Sequence, residues 1–167
     1  MLPFDPIDEA RRHWEDHGWA DAAPAMAAVT SIMRVHQLLQ AEADRVLRPH
    51  GLTFSRYEVL MLLTFSRAGS LPLGKIGARL QVHAASVTNA IDRLEARGLV
   101  RRVAHPTDGR TTLAELTARG RRVARAATDD MNELFRSLQL PDDLFDVLRD
   151  VRAAAGDFGR LPADGRT

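Results

Sequence analysis

The sequence of 167 residues contains no cysteine. This absence excludes redox sensing by thiols, iron–sulfur clusters and zinc sites with cysteine ligands. Long hydrophobic runs are absent as well: the longest, residues 59–63, has five residues, whereas a membrane-spanning helix needs about 20. The first ten residues, MLPFDPIDEA, are acidic and lack the apolar core of a signal peptide. We therefore expect a cytoplasmic protein with no membrane partner.

Enzyme motifs are missing too. The sequence has no P-loop, no G-x-S-x-G and no dinucleotide-type glycine run, so we expect neither catalysis nor a cofactor. His13 and His17 are four residues apart and could face one metal ion from a helix. Only distant histidines or acids could complete such a site. Two surface histidines on an acidic helix are the simpler interpretation, and we predict no metal site.

Acidic side chains avoid the middle of the chain. Residues 73–125 carry eleven basic and four acidic side chains, a net charge of +7, whereas residues 1–22 and 126–167 each have a net charge of −4. A positive segment of this kind indicates a polyanion that contacts one part of the molecule. A solvated surface in an arginine-biased composition is the alternative, since the chain has 22 arginines and one lysine. That bias does not explain why acids avoid the same stretch.

Apolar residues recur at helical spacing over most of the chain. They predict helices over residues 6–17, 25–48, 55–66, 73–80, 84–97, 117–138 and 141–155. Two strands, 99–104 and 111–116, flank a turn-forming cluster. For the helix ends we expect caps from Thr53 or Ser55 and from Thr117, and a stop at Gly98. The fold class is mainly α (α+β), and this order of elements is that of a winged helix-turn-helix.

The segment 84–97 has two different faces when it is built as a helix. Val87, Ile91 and Leu94 form an apolar stripe, which we expect to pack against Ile76 and Leu80. The opposite face is small and polar, and consists of Ala84, Ala85, Ser86, Thr88, Asn89 and Arg93. Small residues let a backbone approach a DNA groove, and an asparagine amide can bond adenine. A solvent-exposed polar face is the alternative, but the hairpin that follows favours a recognition helix.

The hairpin offers a second contact with DNA. Asp108, Gly109 and Arg110 stand at its tip, where glycine allows a positive φ. An arginine on a protruding loop suits a narrow minor groove, and we expect Asp108 to orient the guanidinium of Arg110. A plain turn with a local salt bridge is the alternative. Salt-sensitive phosphate contacts are expected from Lys75, Arg101 and Arg102.

A resemblance to the MarR family of bacterial transcription regulators is carried by SVTNAIDRLEARGLVRR, by Asp108-x-Arg110 and by LTARG, which opens the following helix. It extends over about residues 25–155. The resemblance implies an obligate dimer, a recognition helix in each of two successive major grooves, and wing arginines in flanking minor grooves. It also implies repression relieved by a small aromatic or phenolic effector. One position departs from the family: the residue after Val-Thr is often arginine there and is Asn89 here, so the bases read can differ.

The flanking helices indicate association of two chains. We predict that residues 1–50 and 117–155 form a helical dimerisation lobe, residues 53–116 the DNA-binding lobe, and residues 156–167 a flexible tail. The helices carry more apolar surface than a small lobe can bury alone. In the C-terminal part it consists of Val123, Met131, Leu134, Phe135, Leu138, Leu144, Phe145, Leu148 and Val151. Burial against a second copy would give a large obligate interface, and intramolecular three-helix packing is the alternative.

A tryptophan-bearing N-terminal helix resembles the urate-responsive branch of the family. In that branch a tryptophan, an acid on the second main helix and an arginine on the recognition helix line a ligand site. Trp14 and Glu58 match the first two, but the third position is Ala90. The broken match favours an alternative in which Trp14 and Trp19 fix the N-terminal helix to the dimer lobe. Trp14, His36 and Glu58 are our candidate ligand residues.

We therefore predict a sequence-specific regulator that binds double-stranded DNA as a homodimer, acting as a ligand-responsive repressor on a pseudo-palindromic operator. The residues expected to contact DNA are Lys75, Ala85, Ser86, Thr88, Asn89, Arg93, Arg101, Asp108 and Arg110. The alternative is a helical dimer that binds a ligand or a protein and has lost DNA binding.

Overall fold

The computed structural model describes residues 2–157. Its helices are α1 Pro6–Asp16, α2 Ala23–Leu47, α3 Phe54–Phe65, α4 Leu73–Leu80, α5 Ala84–Glu95, α6 Ala118–Ser137 and α7 Leu144–Ala154. Its strands are β1 Ser70–Pro72, β2 Val100–Ala104 and β3 Thr112–Leu116, and a 3-10 turn, Arg48–His50, follows α2. The predicted mainly helical fold with a winged helix-turn-helix is confirmed. Among the described residues, none of the helices is both long and apolar enough to cross a bilayer.

The chain divides into two compact units, Met1–Leu134 and Phe135–Thr167. The first contains the winged helix-turn-helix together with α1, α2 and most of α6, and the second contains the end of α6 and α7. The lobe boundaries expected from the sequence stay a prediction. Residues 158–167 of the predicted flexible tail lie outside the described residues.

A strand that the sequence analysis missed completes the sheet. The three strands are antiparallel in the order β1-β3-β2, with Leu71 of β1 and Arg102 of β2 on either side of Ala114 in β3. The sequence pattern predicts no strand between residues 66 and 73, yet Ser70 begins β1. The strand is three residues long and ends in proline, so it lacks the alternating pattern that identifies longer strands. Its position at the edge of the sheet agrees with the proline, which cannot donate to a ladder.

The predicted apolar stripe of the recognition helix is confirmed. Val87, Ile91 and Leu94 are all buried, as is Ile76 of α4, while Leu80 is partly buried against the same cluster. This packing fixes one face of α5 against the core and leaves the other exposed. The core extends into α6, where Met131 is fully buried. We had assigned Met131 to the association surface, and that assignment is wrong because its side chain lies inside its own unit.

Two of the three predicted helix ends are confirmed. The hydroxyl of Thr117 accepts a 2.9 Å hydrogen bond from the Gly120 N–H at the start of α6, and Gly98 takes a positive φ of 67° after α5. The expected cap of α3 from a Thr53 or Ser55 side chain is wrong. The carboxylate of Asp44, on α2, accepts a 2.7 Å hydrogen bond from the Phe54 N–H instead. A long-range acceptor of this kind leaves no trace in local sequence.

Hydrogen bonds connect the residue pair that follows α5 to the turn that follows α2. The guanidinium of Arg97 donates hydrogen bonds to the main-chain carbonyls of Gly51 and His50. The His50 imidazole in turn lies 2.7 Å from a carboxylate oxygen of Asp130 on α6. These contacts hold α5 in a fixed relation to two other helices of the same unit.

Candidate nucleic-acid interface

The exposed face of α5 carries polar side chains that have no partner among the described residues. Ser86, Asn89 and Arg93 are exposed, and their side chains make no hydrogen bond or ion pair with any described residue. Thr88 differs, because its hydroxyl donates a 3.1 Å hydrogen bond to the Ala84 carbonyl one turn earlier. The side chains of Ser86, Asn89 and Arg93 are therefore free to bind an external ligand.

A groove of about 480 Å³ runs beside this face. Its walls are the start of α3 and the exposed face of α5, and it is lined by Thr53, Ser55, Arg56, Ala85, Ser86, Asn89, Ala90 and Arg93. A second open groove lies on the other flank of α5, where Thr88 and Asp92 join Ala85, Asn89 and Arg93. Since Asn89 and Arg93 line both grooves, they stand on a ridge between them. A ridge of small and polar side chains is the shape that enters a DNA major groove.

The wing loop is held by one carboxylate. Asp108 accepts a 3.0 Å hydrogen bond from the main-chain N–H of Arg110 and a 2.6 Å hydrogen bond from the hydroxyl of Thr111. These two donors lower the pKa of Asp108. We expected this carboxylate to orient the Arg110 guanidinium, and that expectation is wrong: it orients the backbone of the loop. The Arg110 guanidinium has no ion-pair partner in the part of the chain that the structure describes.

The structure brings Lys75 and Arg110 to one groove. This groove, of about 680 Å³, lies between the start of α4 and the wing, and its lining also includes His105, Thr111 and Thr112. No acidic residue lines it. Two positive side chains at one open groove suit a phosphate backbone that passes between the wing and the helix-turn-helix.

Arg101 and Arg102 are engaged within the protein. Arg101 lies 2.7 Å from a carboxylate oxygen of Glu115 on the neighbouring strand. Arg102 binds the carboxylates of both Asp92 and Glu95 on α5. These two ion pairs join the wing to α5, and the phosphate contact expected of Arg102 stays a prediction. The phosphate contact expected of Arg101 stays a prediction.

The candidate ligand residues lie on three different helices. Trp14 packs edge to face on Trp19, with ring centroids 5.5 Å apart. His36 is exposed on α2. Glu58 is half-buried on α3 without an ion pair among the described residues, and burial raises its pKa. No hydrogen bond among residues 2–157 joins these three side chains, so a shared ligand site stays a prediction.

Comparisons with family models and with known proteins point to one family. The family model for MarR matches residues 52–112, which contain most of the helix-turn-helix and the wing. The chain is 33% identical over 89 residues to the HTH-type transcriptional regulator MhqR of Bacillus subtilis, an alignment that covers 53% of this chain and 60% of MhqR. It is 33% identical to the HTH-type transcriptional repressor Rv2887 of Mycobacterium tuberculosis, covering 66% of this chain and 76% of the repressor.

Similar solved structures point to the same family. Sco5413, a MarR family transcriptional regulator from Streptomyces coelicolor, is 51% identical with a TM-score of 0.73, covering 82% of this chain and 99% of Sco5413. Sco3205 from the same organism, solved in complex with DNA, is 25% identical with a TM-score of 0.67. The alignment covers 84% of this chain and 91% of Sco3205. CouR from Rhodococcus jostii RHA1, bound to p-coumaroyl-CoA, is 26% identical with a TM-score of 0.66. The alignment covers 78% of this chain and 92% of CouR. The chain therefore belongs to the MarR family, whose members are DNA-binding transcription regulators and not enzymes.

Proposed function

We propose that the protein is a homodimeric repressor that binds a pseudo-palindromic operator and releases it when a small aromatic or phenolic effector binds. The observation that carries this proposal is the ridge of α5, where Ser86, Asn89 and Arg93 are exposed and unpartnered. No buried side-chain N or O atom among the described residues lacks a partner, so the unpartnered polar side chains of α5 lie at the surface. Polar groups left open on one ridge are therefore available for DNA.

In this proposal the ridge reads bases and the surrounding cations bind phosphates. The Asn89 amide suits the N6 and N7 atoms of adenine, and Ser86 and Arg93 suit neighbouring bases or phosphates. Ala85 lets the backbone approach the groove closely. The Arg110 guanidinium enters the adjacent minor groove, and Lys75 binds the phosphates between the wing and α4.

The dimer is supported by exposed apolar side chains on α2. Val29, Ile32, Met33, Val35 and Leu38 are all exposed, and the exposed fraction of Met33 is 62%. This concentration of exposed apolar side chains on one 25-residue helix exceeds the scattered apolar residues of an ordinary monomer surface. A second copy of the chain is the occupant that we propose. A two-fold dimer then presents two α5 ridges to half-sites about one helical turn apart.

Repression and effector binding rest on the relatives. Rv2887 is named a transcriptional repressor, and CouR was solved with p-coumaroyl-CoA, which carries a phenolic group. We propose Trp14, His36 and Glu58 as the residues to test for effector binding. Since its partner is chromosomal DNA, we expect the chain to act in the cytoplasm.

An electrophoretic mobility shift tests the DNA-binding part. The probe is DNA from upstream of the protein's own gene, and a scrambled duplex of the same composition is the control. We expect a shift at moderate salt with the first duplex and not with the second. Equal binding to both, or binding to neither, would contradict a sequence-specific regulator and favour a helical dimer that has lost DNA binding.

Sedimentation tests the dimer separately. Met33→Asp places a charge in the proposed interface, while Ala41→Asp places one at an exposed position elsewhere on α2. We expect the unmodified chain and Ala41→Asp to sediment as dimers and Met33→Asp to dissociate. A monomeric unmodified chain at micromolar concentration would contradict the proposal.

A further inference from the structure

Arg56 shares the groove beside the recognition helix, although it belongs neither to that helix nor to the wing. It lies in the first turn of α3, and the groove of about 480 Å³ places it opposite Ser86, Asn89 and Arg93. Arg56 is not among the residues predicted from the sequence to contact DNA, since only the folded chain brings residue 56 beside residues 86–93.

The Arg56 guanidinium is oriented but not neutralised. Its Nε donates a 3.0 Å hydrogen bond to the hydroxyl of Thr53, which in turn lies 3.2 Å from the Ser55 hydroxyl. Within residues 2–157, no carboxylate pairs with Arg56. Arg45 of α2, by comparison, forms an ion pair with Glu42 of the same helix, α2. The hydroxyl bond uses one N–H of the guanidinium and leaves its terminal nitrogens available for a ligand.

The groove has the chemistry of an anion site. Its lining contains two guanidinium groups, three hydroxyl groups and one amide, and no acidic side chain. A guanidinium with free terminal nitrogens binds a phosphate through two parallel hydrogen bonds. The phosphate backbone of DNA borders the major groove that a recognition helix enters, so the wall opposite α5 faces it.

We propose that Arg56, positioned by Thr53, binds a backbone phosphate of the operator beside the major groove that α5 enters. This inference rests on the proposed DNA binding of α5. The Arg56 contact adds a phosphate-binding group from α3 to the groove. The two walls of the groove then have different roles. Asn89 reads sequence on one wall, and Arg56 fixes the position of the helix from the other.

The test is a titration of operator DNA at several salt concentrations. The variants are Arg56→Gln, Arg56→Lys and Thr53→Val, and the matched control is Arg67→Gln. Arg67 lies just beyond the opposite end of α3, is exposed, and pairs with no described carboxylate. Thermal melting of each variant checks that it is folded.

We expect Arg56→Gln to lower affinity about tenfold, equally on operator and on unrelated DNA, because a phosphate contact carries no sequence information. The slope of log affinity against log salt should become shallower by about 0.9 for each bound protomer. Arg56→Lys keeps the charge, so it should keep the slope and lose part of the affinity. Thr53→Val should weaken binding without changing the slope, since it disturbs only the orientation of the guanidinium.

The outcomes separate this inference from the proposed function. If the unmodified chain fails to bind its operator, both are overturned. If it binds and Arg56→Gln matches Arg67→Gln in affinity and slope, only the role of Arg56 is overturned. A loss confined to one DNA sequence with an unchanged slope would also overturn it, because that result would assign Arg56 to a base.

Discussion

The main-chain N–H of Arg102 donates a 2.8 Å hydrogen bond to one carboxylate oxygen of Glu95, and its guanidinium binds the other oxygen of the same carboxylate. Glu95 is the last residue of α5, and Arg102 lies in β2. The two donors lower the pKa of Glu95. This pair joins α5 to the wing, and these are the two elements that we propose to contact DNA.

Glu95→Gln should destabilise the protein in a pH-dependent way. A carboxylate whose folded pKa lies below the ordinary value of 4.5 stabilises the fold at every pH above that value. The contribution is lost as the pH falls through the folded pKa. Because the pair is partly exposed, we expect a loss of about 1 kcal/mol in the free energy of unfolding near pH 7. The difference from the unmodified chain should vanish at the most acid pH values.

Urea denaturation at a series of pH values from about 7 to about 3 measures this difference. Glu133→Gln is the matched control, since Glu133 is exposed and pairs with no described residue. A Glu95→Gln effect that stays constant over the whole range would mean that the charge of Glu95 does not stabilise the wing.

The wing tip depends on Asp108. Asp108→Ala removes the acceptor for both the Arg110 N–H and the Thr111 hydroxyl, whereas Thr111→Val removes only the second bond. We expect a graded loss of operator affinity, larger for Asp108→Ala, because a loosened loop pays more entropy when it orders on DNA. The melting temperature should hardly change, since the loop is exposed. Affinities equal to that of the unmodified chain for both variants would show that the loop needs no ordering.

Helices that bury a continuous stripe could be predicted from the sequence, and features made by distant residues could not. Val87, Ile91 and Leu94 identify α5 because their spacing is local. The Asp44 cap of α3 joins residues ten apart, and the Arg102 ion pairs join the wing to α5. Both depend on how the elements pack, which spacing does not encode. Arg56 was missed for the same reason, although the charge pattern indicated a polyanion partner.

Asn89 and Arg110 should differ in what their removal does to DNA recognition. Asn89→Ala should lower the preference for operator over single-base variants by about tenfold, because a bidentate amide contact discriminates between bases. Arg110→Ala should weaken binding to all of these duplexes alike, since a minor-groove arginine responds chiefly to groove shape and potential. Competition binding with a set of operator variants measures both. If the two changes weakened every duplex equally, Asn89 would have no part in reading sequence.

Glu58→Gln should stabilise the protein at neutral pH. Burial raises the folded pKa of Glu58 above the ordinary value of 4.5, and no described residue pairs with its carboxylate. The loss of folding free energy caused by the ionised Glu58 carboxylate is absent below about pH 4.5. It grows as the pH rises and reaches its full value above the folded pKa. The melting temperature of Glu58→Gln should therefore exceed that of the unmodified chain near pH 7. The gain should shrink as the pH is lowered toward 4.

Calorimetry at the two pH values checks this prediction, with Glu133→Gln again as the exposed control. A Glu58→Gln variant that melts below the unmodified chain at neutral pH would contradict a half-buried carboxylate without a partner. That result would indicate that the charge of Glu58 has a stabilising partner, such as one across the proposed dimer interface.

Gly120 permits a close approach between α6 and the hairpin. A Cβ added there would lie 2.0 Å from the Leu99 carbonyl oxygen and 2.8 Å from Cδ1 of Leu116, so the helix would have to move. We expect Gly120→Ala to cost about 3 kcal/mol and to lower the melting temperature by about 10 °C. Gly74→Ala is the matched control, because a Cβ at Gly74 in α4 meets nothing within 4 Å. Alanine there should be neutral or stabilise the helix by up to about 1 kcal/mol. Equal melting temperatures for the two variants would contradict the close packing of α6 on Leu99.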